Sequence, residues 1–166
     1  MCAPREKDET MKALSGQLPL LCALALGSAV LGTPSVARAD STSPIGRWTT
    51  IDDSTHKPKS VVLIWEKNGV VYGMVESIVP EPGKPASPVC NRCDGELKGK
   101  PIKGMVIMWG FRKDDDEWSG GRILDPENGK VYRCYVRVVD GGRRLKVRGY
   151  VGLAMLGRTQ HWLRAQ

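Results

Sequence analysis

From Gly46 to the end of the chain, apolar and polar side chains take turns with a period of two. Between residues 131 and 138, Tyr132, Cys134, Val136 and Val138 share one face, while Arg133, Tyr135 and Arg137 share the other. Further on, Leu145, Val147, Gly149 and Val151 alternate with Lys146, Arg148 and Tyr150. Successive side chains of a strand point to opposite faces, so this pattern specifies half-buried antiparallel strands. After residue 39 no run keeps the helical spacing of 3.6 over ten residues, which excludes a helical architecture.

Turn chemistry separates the runs. Lys67-Asn68-Gly69 between residues 61–66 and 70–79 predicts a tight hairpin, because Asn and Gly tolerate the positive φ that such turns need. Lys113-Asp114-Asp115-Asp116, Asp125-Pro126-Glu127-Asn128-Gly129 and Asp140-Gly141-Gly142 mark further reversals, and Asn128 and Gly129 are expected in left-handed conformations. In the 70–79 run, Tyr72, Met74 and Ile78 are expected on the core face, interrupted by Glu76. Residues 152–157, GLAMLG, read as one helical turn before a last strand at 158–164. About eight strands result, which a meander hides from edge pairing by closing into a barrel, although a sandwich also fits. Glycines 73, 110, 120, 121 and 149 lie inside predicted strands, where they mark curvature or close approach, and they favour closure.

Residues 80–101 differ in kind. Prolines at 80, 82, 85, 88 and 101 and the glycines and charges around them predict a long loop without regular structure.

Upstream of the domain, residues 18–31 form an apolar run preceded by Lys12 and followed by Val36-Ala37-Arg38-Ala39. A basic segment, a short apolar core and an A-x-A ending make a secretory signal peptide. Residues 1–39 are therefore expected to be removed, with translation starting at Met11, leaving one domain at 40–166 with no transmembrane segment, in the periplasm or outside the cell. Of five cysteines, Cys90, Cys93 and Cys134 follow the leader. In an oxidising compartment Cys90 and Cys93 are expected to close a local disulfide, with a redox pair or a metal site as alternatives, and Cys134 is expected buried and inert. Histidine is limited to His56 and His161, which gives no metal-ligand spacing, and no cofactor is implied. The formal charge of +7 is spread over the strands, and an exported protein has no use for it on nucleic acid.

Longer motifs carry a resemblance. Gly46-Arg47-Trp48, Val71-Tyr72-Gly73, Pro101-Ile102-x-Gly104-Met105, Gly120-Gly121-x-Ile123-x-Asp125-Pro126-x-x-Gly129-Lys130-x-Tyr132, Val147-Arg148-Gly149-Tyr150-x-Gly152 and Leu156-Gly157-Arg158-Thr159-Gln160-x-Trp162-x-Arg164 follow in this order. So arranged, the chain resembles the DUF2147 family of exported bacterial proteins. The resemblance implies an all-β fold, an antiparallel up-and-down eight-stranded lipocalin-like barrel. It assigns no catalytic residue. Gly46-x-Trp48 with Arg164 is also similar to the calycin arrangement in which an arginine stacks on the tryptophan that closes the barrel.

Binding is the function these features favour. A small hydrophobic or amphipathic ligand, or a lipid, is expected in or at the mouth of the barrel, with Trp65, Tyr72, Met74, Met108, Trp109 and Trp118 as candidate contacts. Arg122, Arg133, Arg137, Arg148 and Arg158 are candidates for a patch that meets an anionic envelope component such as a polysaccharide. Gly46, Trp48, Arg164, Asp125, Pro126 and Gly129 are assigned structural roles. A structural or protein-interaction module of the envelope without a ligand is the alternative, and an enzyme using a rim arginine or histidine ranks third.

Overall fold

Asn68 and Gly69, at φ 54° and 73°, reverse the chain between two long strands, as the dipeptide requires. The structure, a computed structural model, describes residues 42–153 and 155–165; the expected signal peptide at 1–39 lies outside the described residues. Eight strands follow one another: β1 (Gly46–Ile51), β2 (Pro58–Lys67), β3 (Val70–Ile78), β4 (Val106–Asp114), β5 (Glu117–Asp125), β6 (Lys130–Val139), β7 (Arg144–Tyr150) and β8 (Gly157–Arg164). Each pairs antiparallel with the next, and β8 pairs with β1, so the sheet is a closed barrel and not a sandwich.

Closure rests on few backbone contacts. The β1–β8 ladder has two rungs, Trp48 opposite Arg164 and Thr49 opposite Leu163, and the Ala165 N–H adds a bond to the Arg47 carbonyl at 2.9 Å. Side chains supply the rest. The Arg164 guanidinium lies 4.1 Å from the centre of the Trp48 ring and donates to the carbonyls of Gly142 (2.6 Å), Ser43 (2.9 Å) and Ile45 (3.2 Å). The Trp48 indole N–H donates to the Pro44 carbonyl at 2.7 Å. Gly46 is needed beside them: its φ is 125°, and a Cβ there would stand 3.3 Å from Arg164 Nη1.

The interior beyond this seal is solid. Trp48, Val62, Ile64, Val71, Met108, Phe111, Cys134, Val136 and Leu145 are fully buried, with Trp118 and Trp162 nearly so. Gly121 faces the Phe111 ring so closely that a Cβ would overlap it, whereas Gly120 is set apart by its φ of 71°. One expectation about faces is overturned. Val71, Gly73 and Val75 line the inside of β3, and Tyr72 and Met74 point outward. A register shift opposite Val61/Val62 then resets the phase, so Ile78 alone of the expected trio turns inward. Glu76 consequently faces out and receives both Nε and Nη2 of Arg47 at 2.8–3.0 Å.

Because Arg164 both covers the tryptophan and satisfies three carbonyls, Arg164→Ala is expected to lower stability by about 1–3 kcal/mol in denaturant unfolding. Arg164→Lys should recover only part of this, since an ammonium lacks the planar fork. An unchanged midpoint in both variants contradicts the assignment.

Candidate functional site

With one end sealed at Trp48, the other end collects the connections at 52–57, 79–105, 126–129 and 151–156 and forms the mouth. Along the inner wall, burial falls off toward it. Val62, Val75, Met108, Cys134, Val147 and Trp162 make a floor, and the next inward side chains, Ser60, Ile78, Ile123, Tyr132, Gly149 and Gln160, are only half-buried. This ring mixes apolar walls with hydrogen-bonding groups, as ligand sites in small barrels do.

A polar relay ties the ring to the rim. The Trp162 indole donates to Gln160 Oε1 at 3.1 Å, the Gln160 amide donates to Asp53 Oδ2 at 3.0 Å, and Asp53 Oδ2 is also paired with Arg158. These contacts bridge β8 to the chain after β1, on the mouth side of the two-rung ladder. On the adjoining wall the hydroxyls of Thr50 and Ser60 share a bond of 2.8 Å. Asp52 orders the β1–β2 connection: the backbone N–H of Thr55 at 2.8 Å, and then the Thr55 hydroxyl, hold its carboxyl down at about 2. Lys59, paired with Asp52 at 3.7 Å and Glu127 at 2.5 Å, draws the β5–β6 turn toward the start of β2.

The proline-rich segment is more ordered than its composition predicts. A 3-10 turn occupies Gly95–Leu97, Val89 bridges Pro101, and the Cys90 N–H donates to the Lys100 carbonyl at 2.8 Å. Cys90 and Cys93 form the disulfide, and both are buried. Its Cys90 sulfur sits 3.3 Å from the Pro126 carbonyl oxygen, so the cystine is docked on the β5–β6 turn. Beneath it, Met108 pairs with Ile123 on the inner face, which puts Ile107 and Leu124 on the outer one. Both are nonetheless buried, as are Met105 and the cystine, and all of them belong to the same hydrophobic cluster as the barrel interior, so the segment extends the core onto the outer wall. In the turn, Gly129 is at φ 74° as expected and Asn128 is not left-handed. Asn128 acts through its side chain, donating to Asp125 Oδ2 and to the Tyr132 hydroxyl, both at 2.9 Å.

The six candidate aromatic and methionine contacts do not converge. Met108 and Trp118 belong to the interior, whereas Tyr72 and Met74 face out, Trp65 stacks on Tyr72 with ring centres 5.8 Å apart, and Trp109 lies opposite Arg122 on the outer wall. Of the five arginines, Arg122 and Arg133 stand directly opposite each other and Arg148 holds the Thr159 hydroxyl at 2.7 Å, all on the outer wall. Arg137 is paired with Asp116, and Arg158 turns to the mouth and Asp53. Asp53, Ile78 and Ile123 lie at the mouth although none of them is among the candidate contacts named from the sequence. Asp53 and Gln160 are 107 positions apart, so no local spacing announces their contact. Cys134 is where alternation put it, and burial pushes its thiol up to about 12, which keeps it protonated and unreactive. Where a helical turn was expected at 152–157, the Leu156 N–H bonds to the Leu153 carbonyl at 3.0 Å, and no helix is found among the described residues there.

A closed eight-stranded meander sealed at one end by a tryptophan under an arginine defines a lipocalin-like barrel. The chain belongs to the DUF2147 family, described as uncharacterized protein conserved in bacteria, whose match spans residues 46–164. Among solved structures it is similar to protein HP1028 from the human pathogen Helicobacter pylori, described as belonging to the lipocalin family. Identity is 23% and the TM-score 0.63, over 74% of this chain and 82% of that one, a likeness of fold. Comparison with curated proteins returns no match.

Two outcomes test this geometry. Alkylation of the native protein followed by peptide mapping should leave Cys134 unmodified until the protein is unfolded, and Cys90 and Cys93 unmodified until it is reduced. Modification of Cys134 in the folded state contradicts the burial. Gly129→Ala would drive a methyl into the Arg92 carbonyl, so it should lift the cystine off the turn and cost about 1–3 kcal/mol. Limited proteolysis should then cut within residues 89–101, and a wild-type digestion pattern would refute the docking.

Proposed function

We propose that the protein is an exported binding protein whose barrel mouth takes one small amphipathic molecule. The gradient of burial along the inner wall carries this reading: the floor is filled, and Ile78, Ile123, Tyr132 and Gly149 above it keep apolar surface accessible beneath the polar Asp53, Arg158 and Gln160. An apolar body would lie against the ring, and a polar or anionic head would meet Arg158 and Gln160. Residues 1–39 serve as a signal peptide in this reading and the chain from 40 works in the periplasm or outside the cell. The disulfide supports an oxidising compartment, and among the described residues no helix is long and apolar enough to cross a membrane.

The filled lower barrel also favours a second reading, an envelope module that holds no ligand and acts through its surface. A single variant separates the two. A Cβ on Gly149 would meet Tyr132 and Ile123 at 3.6 and 3.7 Å, ordinary contact distances, so the backbone there accepts a side chain whose further atoms would occupy the ring. Gly149→Leu is expected to weaken binding of N-phenyl-1-naphthylamine, followed by its fluorescence, about tenfold, or about 1.4 kcal/mol. Native mass spectrometry of the wild type should show a retained small molecule that Gly149→Leu loses. Equal probe affinity in both proteins, with no retained mass, defeats the mouth as a binding site and leaves the surface module.

A further inference from the structure

The β7–β8 connection presents to solvent what a soluble protein ordinarily hides. Val151, Leu153, Met155 and Leu156 are 68%, 71%, 86% and 76% exposed. Single exposed apolar residues are commonplace, but four within six positions form a patch that marks contact with something apolar. Arg148, on the outer wall, ties the loop to β7: its guanidinium donates to the Met155 carbonyl at 3.1 Å and to the Thr159 hydroxyl at 2.7 Å.

Basic groups stand directly behind the tip. Tyr150, which immediately precedes the loop, lies opposite Arg133 on β6, and Arg133 lies opposite Arg122 on β5. Like charges directly opposed across two strands repel, and among the described residues neither arginine has a carboxylate within salt-bridge distance. Together with Gly120, Gly121 and Tyr150 they line a cleft of about 260 Å³ on the outer wall. An apolar tip that reaches beyond a row of unneutralised arginines has the two layers of a lipid surface in the right order, acyl chains for the tip and anionic headgroups for the arginines.

We propose that the β7–β8 loop is a membrane-docking lip that inserts Leu153, Met155 and Leu156 into an anionic lipid surface while Arg122 and Arg133 bind the headgroups. The site is separate from the inner ring of the mouth, so it stands or falls independently of the ligand reading. Docking on this edge would bring the mouth next to the bilayer, where an amphipathic molecule could pass between them.

The test is sedimentation with vesicles of phosphatidylcholine alone or mixed with phosphatidylglycerol. The wild type should bind the mixed vesicles at least about tenfold more tightly than the neutral ones, with salt weakening the difference. Leu153→Ser/Leu156→Ser and Arg122→Gln/Arg133→Gln should each reduce binding about tenfold or more with unchanged thermal unfolding, and Gly149→Leu should bind as wild type. A Leu153→Cys variant labelled with an environment-sensitive nitrobenzoxadiazole group should shift its emission to the blue on the mixed vesicles. Undiminished binding by the leucine variant, or an unmoved emission, overturns the proposal. So does complete competition by soluble glycerol phosphate, which would reduce the cleft to a site for free anions. Self-association that the leucine variant abolishes, without vesicle binding, would assign the loop to a second copy of the chain instead.

Discussion

An eight-stranded meander leaves a first and a last strand with unpaired edges, and in this chain their union depends on Arg164. Two ladder rungs and one further backbone bond, Ala165 to Arg47, join β1 to β8. The guanidinium adds what they lack by stacking on Trp48 and collecting carbonyls from Ser43, Ile45 and Gly142, three points that lie far apart in sequence or outside the strands. Planar charge over an aromatic face, with each of the three nitrogens donating to a carbonyl, suits a group that must be partly withdrawn from water. Gly46 belongs to the same assembly, since both its φ and the space beside it are dictated by the arginine.

Sealing one end fixes the character of the other. With Trp48, Phe111 and Met108 filling the lower barrel, the half-buried inward residues are confined to the ring above them. Mouth-side connections divide the remaining work. The disulfide-bearing segment docks on the β5–β6 turn and joins the core cluster that includes Ile107 and Leu124, while Asp53 bridges the chain after β1 to β8 through Gln160 and Arg158. The β7–β8 loop, by contrast, is held outward by Arg148. One edge of the mouth is thereby anchored and the other offers its apolar side chains.

Much of this architecture was legible in the sequence because it rests on local rules. Alternation at 131–138 and 145–150 assigned faces correctly, Asn68-Gly69 gave its turn, and Gly46, Trp48 and Arg164 announced the seal. What failed was non-local. Residues 70–78 alternate perfectly well on either face, and only the partner strand and its register shift decide that Val71, Gly73 and Val75 go inside. Trp65 and Tyr72 looked like lining because aromatic residues favour strands, yet they stack on the outer wall. The order in 80–101 comes from a cystine that meets Pro126, a contact no spacing within the loop encodes. Asp53 likewise finds its partners, Gln160 and Arg158, in the last strand, where nothing near it in sequence points to them.

The central claim is that the barrel is solid from Trp48 to Met108 and open above. Xenon taken up by crystals under pressure measures it most directly, since the atom settles in apolar space that side chains leave unfilled. The account predicts xenon at the mouth, against Ile78, Ile123 and Gly149, and none between Trp48 and Phe111. Xenon in the lower barrel, or an empty mouth, would contradict it.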